Sequence, residues 1–180
     1  MRMKSYLALI IGYGVLGAVA NATPLGRVEY ADLTSVNGYP AICLPREAKA
    51  PFAVGWAILA EGFAEKGGVW SLKLKEGATP MILKTGECFA YGVVPEAYEF
   101  MKHGSNEPPL ILEVDKTYSF RLHTASQSND VYNVVFCVGE GRGGQFEFYK
   151  RSPSMSREQA ARPCKASKNN NASELGQAYE

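Results

Sequence analysis

Apolar and polar residues alternate with a period of two along much of the chain, the mark of strands with one buried and one wet face. Trp70, Leu72 and Leu74 alternate with Ser71, Lys73 and Lys75. Tyr118, Phe120 and Leu122 alternate with Ser119, Arg121 and His123, and Phe146 and Phe148 flank Glu147. Val131–Val138 (VYNVVFCV) is apolar on both faces and reads as a central strand. Further strands are expected at Val28–Val36, Tyr39–Leu44, Met81–Leu83, Cys88–Tyr91 and Leu110–Val114. Turn signals separate them at Asn37-Gly38, Lys66-Gly67-Gly68, Glu76-Gly77, Thr85-Gly86, Asp115-Lys116 and Gly139–Gly144. Short strands at this spacing predict an all-β fold: an antiparallel β-sandwich, immunoglobulin-like or related, of about seven to nine strands.

The segment 52–63 carries two patterns. Phe52, Trp56, Leu59 and Phe63 follow Pro51 at helical spacing, whereas Val54, Trp56 and Ile58 alternate with Ala53, Gly55 and Ala57 as a strand would. Gly55 and the surrounding β pattern favour the strand. Pro95–Pro109 (PEAYEFMKHGSNEPP) is the longest insertion, with a short helix expected over Glu96–Lys102 and a loop after it.

The two ends differ from this middle. Arg2 and Lys4 precede a 13-residue apolar run, Leu7–Val19, and Ala20-Asn21-Ala22 gives a small-x-small cleavage site, so residues 1–22 read as a secretory signal cut before Thr23. The run is too short, and too interrupted by glycine, to span hydrocarbon, and no cysteine stands at the cleavage point to carry an acyl anchor. The expected product is a soluble β domain over 23–150 with a polar tail over 151–180. That tail is poor in large apolar side chains and is expected to be disordered except where Cys164 tethers it.

Charge and cysteine usage narrow the function classes. The chain has 19 Lys and Arg against 18 Asp and Glu, and losing Arg2 and Lys4 makes it slightly acidic, which gives no surface for nucleic acid. Four cysteines in an exported chain favour two disulfides. Tethering the tail suggests Cys137–Cys164 and leaves Cys43–Cys88; a Cys43–Cys137 bridge between sheets, with Trp56 beside it, is the alternative. No C-x-x-C pair occurs and only His103 and His123 could complete a metal site, so no metal or other cofactor is expected. Both histidines read as surface residues without a catalytic partner. No nucleophile elbow or H-E-x-x-H helix is present, and Glu61, Glu65 and Glu87 are scattered. The glycine cluster Gly139–Gly144 joins two β patterns and reads as a hairpin turn rather than a phosphate loop. Trp56, Trp70, Tyr118, Phe120, Phe146 and Phe148 read as core residues before carbohydrate stackers. Asn171-Ala172-Ser173 fits a glycosylation sequon in the tail.

Three segments together carry a family likeness: Val36–Leu44 (VNGYPAICL), Gly86–Gly92 (GECFAYG) and Tyr132–Cys137 (YNVVFC), with the Trp70 strand between the first two. The chain resembles the periplasmic type VI secretion immunity lipoproteins of Gram-negative bacteria over about Gly26–Phe148. It departs from them at Thr23, where those proteins carry a lipobox cysteine. The resemblance implies a periplasmic protein, free of a lipid anchor, that neutralises a cognate toxin by binding it, and it implies no catalytic residue. Protruding loops on a rigid scaffold are natural contact sites. The aromatic-rich insertion therefore offers Tyr98, Phe100, Met101, Lys102 and His103 as candidate contacts, unless Tyr98 with Phe100 or Met101 serves to pack it onto the sheet. A glycan- or envelope-binding module, and less strongly a secreted enzyme, are the other readings.

Overall fold

The computed structural model describes residues 26–62, 67–101, 109–152, 154–160, 162 and 164. The expected signal sequence, Phe63, residues 102–108 and the sequon lie outside them. The described chain is a β-sandwich of eleven strands, two to four more than the sequence pattern suggested. These are β1 (Val28–Tyr30), β2 (Asp32–Val36), β3 (Tyr39–Cys43), β4 (Phe52–Glu61), β5 (Val69–Leu74), β6 (Ile82–Leu83), β7 (Cys88–Ala90), β8 (Tyr98–Phe100), β9 (Thr117–Thr124), β10 (Val131–Glu140) and β11 (Phe146–Arg151). One layer runs β1-β10-β9-β4-β5-β8, with β11 extending from β10 and β6 from β4; the other runs β2-β3-β7. All pairings are antiparallel except β1 with β10.

The inward-facing residues are those the alternation picks out. Trp70 and Leu72 of β5, Tyr118, Phe120 and Leu122 of β9, and Tyr132, Val134, Phe136 and Val138 of β10 meet Ile42 of β3 and Phe89 of β7 in one core. Trp70 meets Phe89 of the other layer in a tilted contact at 6.5 Å between ring centroids and Phe120 of its own layer edge-to-face at 6.1 Å. The β2–β3 hairpin turns at Asn37 and Gly38, both with positive φ (53° and 81°), which the Asn-Gly pair tolerates at little cost.

Four expectations change. The run Val28–Val36 is two strands, because buried Ala31 is a corner where the chain leaves one sheet for the other; its N–H donates to Asn133 O at 2.9 Å. Leu110–Val114 forms no ladder. Leu110 and Leu112 are buried, and tyrosine hydroxyls satisfy much of its backbone: Tyr91 and Tyr118 donate to the Leu110 and Ile111 carbonyls, and Tyr118 accepts from Glu113 N–H. The expected helix at 96–102 is instead strand β8, paired with the otherwise open edge of β5. Finally, Arg151, expected to begin the polar tail, belongs to the sheet. Arg151 closes β11 and is buried. It donates to Gln159 O and Arg162 O, each at 2.6 Å, below the single helical turn α1 (Arg157–Ala160).

Segment 52–63 is a strand through Glu61, and Gly55 shapes it. Val54 pairs with Thr124 and Trp56 with His123, so Gly55 is an extra residue, a β-bulge. A Cβ at Gly55 would stand 2.6 Å from Thr124 O and 2.9 Å from Ala125 N, so only glycine allows the backbones this close. The bulge also reverses the faces. Phe52 and Val54 point into the core before it, and Ala57 and Leu59 do so after it. Trp56 is thereby turned outward and is 38% exposed, not a core residue. Phe146 is also exposed, at the start of β11, while Phe148 packs on Phe136.

Candidate partner-binding site

The cysteines form two bridges, Cys43–Cys88 and Cys137–Cys164. The inter-sheet Cys43–Cys137 alternative does not occur. Cys43 and Cys88 are register partners on β3 and β7, so the first bridge staples the small sheet. Cys137 points away from the core between inward-facing Phe136 and Val138, so the second bridge fixes the tail to the outer face of the large sheet. Cys164 N–H donates to Asp115 Oδ1 at 3.0 Å beside it. Two disulfides in a domain with a full core belong to an oxidising, extracytoplasmic compartment. Among the described residues no helix is long and apolar enough to cross a membrane.

The insertion does not present its candidate contacts as one group. Tyr98 is only 2% exposed; its hydroxyl donates to Val54 O at 2.7 Å and accepts from Met81 N–H at 3.0 Å. It is withdrawn as a contact residue, because it ties β8 to the bulged strand. Phe100 is 58% exposed on the edge, in register with Leu72. Met101 follows it on the opposite face, half-buried, with its N–H on Ser71 O at 3.1 Å. Lys102 and His103 lie outside the described residues. The structure therefore joins Tyr98 to the core and separates Phe100 from Met101.

The face of the large sheet turned away from the small sheet gathers a different set. In register across six strands stand Val28, Val131, His123, Trp56, Lys73 and Glu99. The next row is Tyr30, Asn133, Arg121, Ile58 and Ser71, and the third Val135, Ser119, Ala60 and Val69. Trp56 and His123 stack with ring centroids 4.7 Å apart and planes at 30°. Burial, followed by the positive charge of Arg121, holds the His123 imidazole below its ordinary pKa, so at neutral pH it is an uncharged stacking surface. Lys73 pairs with Glu99 at 3.2 Å. Arg121 is exposed and has no ion pair among the described residues. The residue pattern placed Arg121 and His123 together on a polar face but hid Trp56. The signal for it was Gly55, since a glycine inside a strand marks a bulge.

Other candidates resolve into local roles. A cavity of about 120 Å³ between β1, β10 and the start of β4 is lined by Arg27, Glu29, Lys49, Phe52, Asp130 and Tyr132. Its charges are largely answered from within: Arg27 lies 3.6 Å from Asp130 and 3.9 Å from Glu29, and Tyr132 donates to Glu29 Oε2 at 2.8 Å. Burial and that carboxylate push the Tyr132 hydroxyl up to about 12. Glu61 pairs with Lys116 at 2.9 Å, while Glu87 closes a turn on Lys84 N–H, so the two do not converge. Glu65 lies outside the described residues, among which no three His, Cys, Asp or Glu side chains could hold a metal. Of the glycine cluster, Gly139 lies in β10, and the hairpin connection to β11 follows Glu140 and contains the short 3-10 turn Arg142–Gly144.

Fold and site together define a disulfide-stapled β-sandwich whose large sheet bears Trp56, His123 and Arg121 on its outer face. No family model, curated protein or solved structure matches the chain.

Proposed function

We propose that this is a periplasmic binding protein without catalytic activity, which neutralises a secreted antibacterial toxin by occupying it. The observation that carries the reading is the outer face of the large sheet, where an exposed tryptophan, a stacked histidine and an exposed arginine with no ion pair among the described residues stand on one ladder. Tryptophan and arginine are the residue types that most often dominate binding energy, and rigidity lowers the entropy lost on association. The stapled small sheet and the tethered tail supply that rigidity. The sequence resemblance to immunity proteins supplies the toxin as partner, and Thr23 in place of a lipid-bearing cysteine supplies a soluble periplasmic form. The described histidine and glutamates are engaged in stacking, an ion pair and a turn, which supports binding over catalysis.

The test is protection. Sensitive cells producing the chain with its leader should survive the toxin encoded beside its gene, and cells producing it without the leader should not. Death of cells exporting the protein, against every neighbouring effector, overturns the reading. The Trp56–His123 platform also suits an envelope glycan, a second reading that a glycan array examines directly.

A further inference from the structure

We propose that the outer face of the large sheet, centred on Trp56, Arg121 and His123, docks a partner protein through a patch that sets a carboxylate among apolar side chains. This rests on the binding reading above and names its surface and the chemistry of its partner.

The outer face of a half-solvated antiparallel sheet is ordinarily polar. Here Val28, Tyr30, Trp56, Ile58 and Val131 occupy outward positions in the two rows that hold His123 and Arg121. With strands about 4.8 Å apart and same-face residues about 7 Å apart, these two rows cover roughly 350 Å² of mixed apolar and polar surface. That is a little under half of one side of a standard protein interface. The described part of the tail does not reach it. Arg151 and Cys164 fix the tail over the Val135–Cys137 end of β10, while Trp56, Arg121 and His123 lie beyond that end.

Charge selects the occupant. The other lysine of this face, Lys73, has Glu99 beside it, and at its margin Arg27 has Asp130. Arg121 stands between Ile58 on β4 and Asn133 on β10 with no carboxylate paired to it among the described residues, and His123 two residues along β9 is held below its ordinary pKa. A docked surface that excluded water from Arg121 without pairing it would leave a desolvated charge uncompensated, at a cost of several kcal/mol. The partner must therefore bring an Asp or Glu to Arg121, with apolar side chains for Trp56, Ile58 and Val131. A second copy of this chain fits poorly, because a two-fold axis through the patch centre sets Arg121 near its own mate. A neutral glycan satisfies the Trp56–His123 platform and leaves Arg121 unanswered.

A random-dodecapeptide phage library panned on the full-length protein provides the test. The expected consensus places Asp or Glu next to aliphatic or aromatic residues, and synthetic consensus peptides lose at least about 30-fold in affinity to Arg121→Glu and to Trp56→Ala, as at a binding hot spot. Arg121 is exposed and Arg121→Glu should keep the wild-type urea midpoint, which secures the result if Trp56→Ala unfolds. Lys84→Glu, remote from this face, should leave affinity unchanged. No enrichment, a consensus lacking a carboxylate, or binding indifferent to Arg121→Glu overturns the proposal. So does a dimer that Arg121→Glu dissociates, or glycan binding that depends on Trp56 and not on Arg121. Protection assays separate the two claims. If the wild type and Arg121→Glu protect equally, the surface is wrong and the toxin reading stands. If the wild type fails to protect yet binds acidic peptides through Arg121, the toxin reading falls and the surface stands.

Discussion

Replacing Tyr98 by phenylalanine removes a single oxygen from the junction of β8 with the bulged strand. The ring should stay, since it lies edge-to-face with Phe89 at 5.8 Å and is buried on all sides. The lost hydroxyl deprives two backbone groups of their partner: Val54 O, 2.7 Å away in a buried setting, and Met81 N–H, 3.0 Å away in a half-buried one. A buried carbonyl left unsatisfied costs about 1–3 kcal/mol, whereas a donor that water can reach loses only about 0.5–1 kcal/mol. Tyr98→Phe should therefore destabilise the domain by about 2–3 kcal/mol, a sizeable share of a typical total of roughly 5–15 kcal/mol. Urea unfolding followed by tryptophan fluorescence measures this directly, and the denaturant slope should be unchanged because the same surface is buried. Peptide or toxin binding by the folded variant should match the wild type, since Tyr98 offers no surface to a partner. A loss below about 0.5 kcal/mol would mean that water reaches Val54 O, and the account of Tyr98 as the tie across the bulge would be wrong. Full stability combined with lost binding would return Tyr98 to the contact surface.

Gly55→Ala should cost about 1–3 kcal/mol, because its Cβ meets the backbone of Thr124 and Ala125; urea unfolding reads the loss, and wild-type stability would refute the close approach. Replacing Cys137 and Cys164 together by serine should cost up to about 3.5 kcal/mol, from chain entropy over a separation of 27 residues, and should open the tail to limited proteolysis beyond Arg151 while β11 stays protected. The His123 imidazole is pushed down by burial first and by Arg121 second, so the folded state binds its proton less readily than the unfolded chain. Its contribution to stability is complete above pH 6.5 and is lost as pH falls from there toward the depressed folded value. His123→Gln should remove that part of the acid dependence of the urea midpoint, and Arg121→Gln should raise the His123 pKa in an NMR titration.

Local periodicity alone settled a large part of this protein. The inward residues of β5, β9 and β10 are those the alternation chose, because a strand with one face on a core must place every second side chain there. Asn37-Gly38 marked its own turn, since a positive φ is a property of those two residues. In a chain read as exported, the cysteine count pointed to two bridges, but spacing left their pairing open.

Tertiary structure decided what depends on a partner distant in the chain. Tyr98 is core and not contact because β8 found the open edge of β5, a pairing no local pattern announces. Arg151 looked like the start of a polar tail, yet it is buried because the carbonyls of Gln159 and Arg162 return to it from eight and eleven residues on. Trp56 shows the division most clearly. Its alternation with Gly55 and Ala57 was legible, but which face it joined was not, because one unpaired residue in a ladder reverses every side chain beyond it. Only the approach of Thr124 to Gly55 placed that bulge. With it, the ring that composition assigned to the core stands outward beside His123 and near Arg121.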